Sequence, residues 1–448
     1  MMDIKRTLIE ALPPGAKRFL AVPYDLYQTR TANRQFARKR LPDHERDDDA
    51  PRHIVCVVVD ALRADHIDDE LTPYLASLHG CDAITPGAWT FPAVSSMLAG
   101  VYPHEHGAMR QTDDPEEFEG FSLPPRMDES RETLTEALAG AGYETYGGFG
   151  HDTPFVALSG RFHEHALYHN VSATADDVLD GYLDWVTGRD RTFAFLHLAD
   201  PHIPVDPPRE YWEAHDVDRS IDDIRNWAYN TDTECGEPCQ TYREHRRRLY
   251  RASIDYVDDA LAAFADSLEA ALDDSLLIVT ADHGEALWEH VTVDVEHFDG
   301  TGCVDHGGAP YEPLARVPLL TDGDWPLEDG VSLVDLAPTI ADTVGIDWSQ
   351  PTGYSLHSGA PDDRLPLVEG SLNGYEKKAV YDSEYKLLVS RGDDVELDYR
   401  LPAEELTTIP AERRERMLDT LPAWPEGQHT QTDVPDVVED RLEQLGYR

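Results

Sequence analysis

Asp282 and His283 stand side by side in SLLIVTADHGEALW (Ser275–Trp288), directly after a run of Leu, Ile and Val. An adjacent carboxylate and imidazole on a turn can both reach one cation. The carboxyl end of a buried parallel strand is also where open α/β sheets place their ligands. Asp60 repeats the arrangement, since HIVCVVV (His53–Val59) is a second short apolar run that stops on an acid. Two such strands imply that remote parts of the chain meet at one divalent ion. The mixed oxygen and nitrogen donors suit Zn²⁺ or Mn²⁺, with Mg²⁺ and Ca²⁺ as harder alternatives. An Asp-His pair after a strand also serves as a helix cap, so the pair alone does not require an ion.

Thr90 lies in AWTFPAVSSMLAG (Ala88–Gly100), where Pro92 near the start and Gly100 at the end mark one short helix. The threonine therefore falls at the helix N-terminal edge, where free N–H groups and the helix dipole favour an oxyanion. Two roles stand open for its hydroxyl: a cap, or a nucleophile activated by the ion.

The elements that must hold these groups follow from the pattern of the chain. Its 448 residues suffice for one large domain or two of ordinary size. From Ile54 onward short apolar runs alternate with helical stretches, the mark of an α/β fold with a mostly parallel central sheet flanked by helices. Helices are expected at Leu134–Ala141, Asp176–Thr187, Tyr242–Ala271 and Leu333–Val344, and strands at Tyr143–Gly148, Thr192–His197 and Val317–Leu320. Asp206–Gln240 reads as an irregular insertion near the active face. After Asp362 the runs Val380-Tyr381, Tyr385–Val389 and Val395–Tyr399 predict antiparallel strands of a smaller α+β unit, with a last helix near Val437–Leu445. The expected organisation is an extension and linker (1–50), a catalytic domain (51–360) and a C-terminal subdomain (361–448).

Charge is anomalous. Asp and Glu number 87 against 38 Lys and Arg, a formal net charge of −49, and the bases are overwhelmingly Arg. Such a surface is read as adaptation to high salt, and it disfavours nucleic acid as a partner. The first 40 residues are basic instead. They are expected either to dock on the acidic body or to contact anionic lipid at a membrane face. Five cysteines are too few for a disulfide scaffold; Cys235 and Cys239 read as a local disulfide or two free thiols rather than a zinc site. With no signal peptide or apolar span, a cytoplasmic protein is expected.

The order VVVDALRADH, TPYLASL, TFPAVSSMLAGVYPHEHG, LHLADPHIPVDPP, TADHGEALWEH, DHGGAPYEPLARVPLL and VSLVDLAPTIADTVGI resembles the sulfatase branch of the alkaline phosphatase superfamily over about Ile54–Gly345. The resemblance implies that Asp60, Asp282 and His283 are metal ligands and that Thr90 occupies the nucleophile position, with Pro92 and Gly100 in register. It places His202 against the transferred group or leaving oxygen, and His306 where relatives carry a Lys or His facing the same group. His106 and His151 would be supporting residues. Glu285, Glu289 and His290 either steer the metal pair or face solvent. Four departures weigh against sulfate chemistry. Threonine cannot be oxidised to the formylglycine of sulfatases; Val94 and Ala61 replace the motif's Arg and its second leading Asp; and YETYGGFGHD (Tyr143–Asp152) lacks the Lys-x-His clamp. The Asp-x-x-x-His motif of two-metal relatives is also absent. Hydrolysis of a phosphate mono- or diester by Thr90 is therefore expected, on a small-molecule, glycan-linked or lipid-linked substrate. Sulfate-ester hydrolysis, head-group or glycan phosphotransfer, and a catalytically silent binding module are the alternatives.

Overall fold

The computed structural model describes residues 14–113, 115, 123–168, 174–328, 330–348, 352–359, 361, 363–427 and 432. Helix α1 (Pro14–Phe36) precedes strands β1 (His53–Val59) and β2 (His79–Ile84). Helix α2 (Thr90–Ala99) leads to β3 (Glu144–Phe149), β4 (Glu164–Leu167), α3 (Ala175–Val186) and β5 (Thr192–Leu198). The long α4 (Glu237–Ala271) feeds β6 (Ser275–Thr280), which is followed by β7 (Arg316–Thr321), β8 (Val331–Ser332) and α5 (Leu336–Val344).

These strands form one eight-stranded sheet in the order β8-β2-β7-β6-β1-β5-β3-β4. Pairing is parallel except at β7, which runs antiparallel to both β2 and β6. All seven residues of β1 and of β5 are buried, as their mostly apolar sequences require of strands covered on both faces. Register then positions the site. Val58 pairs with Thr280 on β6 and with His197 on β5. Two residues further along each outgoing strand, Asp60 and Asp282 stand level with one another.

The expected helices and strands are present with boundaries displaced by a residue or a few. The insertion reading needs correction: Asp206–Gln240 contains a short helix, Arg209–Ala214, and α4 begins inside it. Gly236 caps α4 and Pro238 sits in its first turn, where a missing N–H costs nothing. Cys235 and Cys239 are joined in a disulfide at this helix start. The helix expected near Val437–Leu445 lies outside the described residues.

Within the basic N-terminal stretch, α1 docks its end on the sheet edge. Phe36 is buried and meets His163 edge-on at 4.6 Å. Lys39 and Arg161 both pair with the buried Glu136. His165 on β4 binds Asn33 of α1, with its Nδ1 2.8 Å from the amide oxygen, while its Nε2 accepts the Gly160 N–H. Burial pushes this imidazole down to about 3 from an ordinary 6.5. Its native pKa is depressed, so the stability it contributes is complete above about pH 6.5 and is lost as pH falls toward 3. Hydrogen exchange across 25–36 is expected to accelerate through that window, and His165→Asn is expected to flatten the response. Among the described residues no helix is long and apolar enough to cross a membrane.

A separate five-stranded antiparallel sheet follows: β9 (Leu367–Val368), β10 (Lys378–Tyr381), β11 (Tyr385–Ser390), β12 (Val395–Arg400) and β13 (Glu405–Leu406), in sequential order. Its interior holds Lys377, Lys378 and Lys386, all fully buried. Lys378 pairs with Glu369 at 3.0 Å, Lys386 pairs with Glu404, and Lys377 donates to the Tyr375 carbonyl.

Candidate active site

Three neighbouring strands deliver their carboxyl ends to one place. Asp60 follows β1, Asp282 follows β6, and His197 is the next-to-last residue of β5. The turn carrying Asp282 and His283 is held by Gly284, whose N–H donates to the Leu314 carbonyl at 2.7 Å. A Cβ at Gly284 would lie 2.0 Å from the Pro313 oxygen, so only glycine lets the two backbones approach this closely. Thr90, the first residue of α2, brings its Oγ1 to 3.2 Å from His283 Nε2. The helix ends at Gly100, which adopts the left-handed conformation at φ 64°.

Hydrogen bonding on the far side of each imidazole assigns its tautomer. His283 Nδ1 lies 2.9 Å from the Gly284 carbonyl and must donate to it. Nε2 therefore presents a lone pair, 3.5 Å from Asp60 Oδ1 and 3.6 Å from Asp282 Oδ2. Asp60 Oδ1 is buried without a hydrogen-bond partner. The His283 Nε2 lone pair and the orphaned Asp60 oxygen thus face the same point, beside the Thr90 hydroxyl. Burial and the neighbouring Asp282 raise the Asp60 pKa well above the usual carboxylate range. A divalent cation fits this donor set: it would satisfy the orphaned oxygen and offset the like charge of the two acids.

His151 behaves in the opposite sense. Its Nδ1 accepts the Thr153 N–H, so its Nε2–H donates to Asp60 Oδ2 at 2.7 Å. It orients the carboxylate in the way outer partners orient ligands. His197 reaches Asp282 Oδ2 at 3.2 Å and Asp60 Oδ2 at 3.8 Å. Its position at the end of a buried strand beside β1 was the available signal, although the sequence reading passed over it.

His202 and His306 complete the chamber. His202 donates from Nδ1 to the Ile203 carbonyl at 2.6 Å, and its ring lies 4.9 Å from His306. The His306 ring stacks on His283 at 4.2 Å. Burial works against a charge on His306, but Asp305 at 2.8 Å and Glu285 at 3.7 Å outweigh it and raise its pKa well above the ordinary value. Thus Asp60, Thr90, Asp282, His283, His202 and His306 all come together. His106 does not join them: it binds Ser96 Oγ at 2.8 Å beneath α2. Glu289 pairs with Arg63 and His290 with Glu404, so of the three residues after the metal pair only Glu285 faces the site.

Ala61, where the resemblance implied a second Asp, has a φ of 61°. Tyr250 on α4 holds this turn, donating to the Ala61 carbonyl at 2.6 Å and accepting the Arg63 N–H at 3.3 Å. Tyr250→Phe strands both buried backbone groups and is expected to cost about 2 kcal/mol, measurable by urea unfolding.

Comparison with known proteins places this geometry. The family model for sulfatases matches residues 52–346. The chain belongs to the sulfatase family. Choline-sulfatase of Rhizobium meliloti (strain 1021) is 26% identical over 204 residues, covering 40% of this chain and 35% of that relative, so the match spans about a third of its length. A protein solved with its substrate D-glucosamine-2-N,6-O-disulfate superposes with a TM-score of 0.64 at 15% identity, covering 89% of this chain and 98% of that one. The phosphonate monoester hydrolase from Silicibacter pomeroyi gives 0.59 at 16% identity, over 82% and 93%. The fold is therefore that of sulfatases and their phosphonate-cleaving relatives, and members of the family are hydrolases. Val94, where the resemblance implied an arginine, is fully buried in the hydrophobic core.

Proposed function

We propose that this sulfatase-family protein is a metal-dependent hydrolase of phosphate mono- or diesters in which Thr90 is the nucleophile. The observation that carries the reading is the Thr90 hydroxyl, 3.2 Å from His283 Nε2 at the start of a helix, in a position where formylglycine cannot form. Asp60, Asp282 and His283 would hold a divalent ion, which supplies Lewis acidity that offsets charge on the transferred group. Thr90 Oγ1, whose proton the ion's charge would help release to solvent beforehand, attacks phosphorus in line while the bond to the leaving oxygen breaks. Protonated His306 donates its proton to that oxygen, and His202, whose Nδ1–H is held by the Ile203 carbonyl, lines the same chamber beside it. Water then attacks the phospho-threonine and gives one proton to His306 as the bond from phosphorus to Thr90 Oγ1 breaks, returning both residues to their starting states. Asp305 and Glu285 stabilise His306 in the charged form that the first step consumes and the second restores.

The phosphonate-cleaving relative supports phosphorus as the reacting centre, while the choline-sulfatase match favours a second reading, sulfate-ester hydrolysis. Assays with Mn²⁺ or Zn²⁺ on p-nitrophenyl phosphate, bis-p-nitrophenyl phosphate and p-nitrophenyl sulfate separate the two. Turnover of either phosphate that Thr90→Ala abolishes supports the proposal. Sulfate turnover that survives the substitution overturns it, and inactivity on all three moves weight to phosphotransfer or a silent binding module.

A further inference from the structure

Strands β9 and β10 are antiparallel neighbours, which a loop of about two to five residues ordinarily joins. Here the chain between them, Glu369–Lys377, leaves the C-terminal sheet and runs to the two segments that carry Thr90 and His306. At its start Glu369 lies alongside Gly87: its N–H donates to the Pro86 carbonyl at 3.1 Å, and its carbonyl accepts the Ala88 N–H at 3.2 Å. Two residues further on is Thr90. At the crest of the excursion the N–H groups of Leu372 and Asn373 both donate to the Gly307 carbonyl, at 2.7 and 2.8 Å. The Asn373 side chain adds a third bond, from Nδ2 to the His306 carbonyl at 3.2 Å. The Gly307 N–H closes the ring by donating to the Ala88 carbonyl at 2.8 Å.

This strap is held from behind. Arg110 donates through Nη1 to the Leu372 carbonyl at 2.9 Å and through Nη2 to the Gly374 carbonyl at 2.8 Å. The Glu376 carboxylate accepts the N–H groups of Gly370 and Ser371 at 2.6 and 2.9 Å. Both charged side chains are buried, and burying them costs desolvation that a plain connection between two strands does not require. The position of the His306 ring supplies the reason. That ring stacks on His283 at 4.2 Å, and the Thr90 hydroxyl lies 3.2 Å from His283 Nε2. A shift of the His306–Gly307 main chain carries the imidazole with it. Proton donation needs the donor within about 2.6–3.2 Å of the acceptor, so a displacement of about 1 Å is felt strongly in rate.

We infer that Asn373 is a positioning residue for proton donation: with the Leu372 N–H it fixes the His306–Gly307 main chain so that the imidazole reaches the leaving oxygen. This rests on the reading above in which His306 protonates that oxygen. The C-terminal sheet then takes part in the reaction through a group that it does not itself carry.

Phenyl phosphate and p-nitrophenyl phosphate test the inference, because phenolate leaves poorly without a proton and p-nitrophenolate leaves readily without one. The comparison uses kcat/KM, which reports the step that breaks the ester bond. His306→Gln is expected to raise the p-nitrophenyl to phenyl ratio at least about 100-fold above wild type. Asn373→Ala and Asn373→Asp should each raise it at least about tenfold, with p-nitrophenyl turnover and calorimetric Mn²⁺ affinity within about threefold of wild type. The aspartate keeps the size of the side chain but sets an oxygen where the amide N–H was. If both Asn373 variants keep the wild-type ratio, or lose the two esters in proportion, the inference is overturned and Asn373 is structural. If His306→Gln keeps the wild-type ratio, or wild type cleaves neither ester, the proton-donor reading is what fails, and the role of Asn373 falls with it.

Discussion

Thr90→Ala is expected to lower kcat on the best phosphate ester by at least about 10³-fold with the melting temperature nearly unchanged. The hydroxyl is a bond-forming atom in the proposed reaction, so no neighbouring group replaces it. Its contribution to folding is small, because Trp89 rather than Thr90 occupies the cap position of α2 and its side chain makes no capping hydrogen bond. Thr90→Ser should recover a substantial part of the rate, since it keeps the oxygen and loses only the methyl. Quenching in acid during turnover should trap a stoichiometric phosphoryl group on wild type and none on Thr90→Ala. A Thr90→Ala protein that turns over phosphate esters within about tenfold of wild type would rule out covalent catalysis by this residue.

The second large effect is a reversal of sign at Asp60. Without a cation, the buried Asp60 carboxylate is disfavoured by desolvation and by Asp282 beside it. Asp60→Asn removes that charge, yet its amide oxygen can still accept from His151. The metal-free variant is therefore expected to melt higher than metal-free wild type. With Mn²⁺ or Zn²⁺ the order inverts, because wild type gains binding energy that the variant cannot. At a metal concentration 100 times the Kd that gain is about 2.7 kcal/mol, which for a chain of this size is on the order of 3 °C in Tm. Chelation should return wild type to its lower melting point. An Asp60→Asn protein whose Tm responds to metal as fully as wild type would show that Asp60 does not bind the ion.

Much of the reacting centre was legible because strand ends announce themselves. HIVCVVV and SLLIVT are unbroken apolar runs, so the acids that terminate them had to emerge together on one edge of a parallel sheet. Thr90 was legible through Pro92 and Gly100, which bracket its helix. His197 was missed because TFAFLH was read for its apolar residues, while the polar residue near its end has the same meaning as Asp60. The buried arginines of α4 could not be found from the sequence. Arg243 and Arg246 sit beside Arg247 and Arg248 in a helix whose charged residues look like a solvated face, and only packing shows which two are enclosed. The partial order of the 206–240 insertion was hidden for a different reason. Its polar composition signals a loop, whereas the Arg209–Ala214 helix is held by the single buried residue Trp212 and by its neighbours, not by periodicity.

The C-terminal sheet has a consequence for how the molecule would meet amine chemistry. Of six lysines in the sequence, three are Lys377, Lys378 and Lys386, each enclosed by carbonyl oxygens or a carboxylate and several lying over aromatic rings. A compact ammonium fits such sockets where the broader guanidinium would clash, which explains why a chain otherwise committed to arginine spared these positions. Acylating reagents would therefore find few primary amines on the folded molecule, and modification at these three sites would time the rate at which this sheet opens.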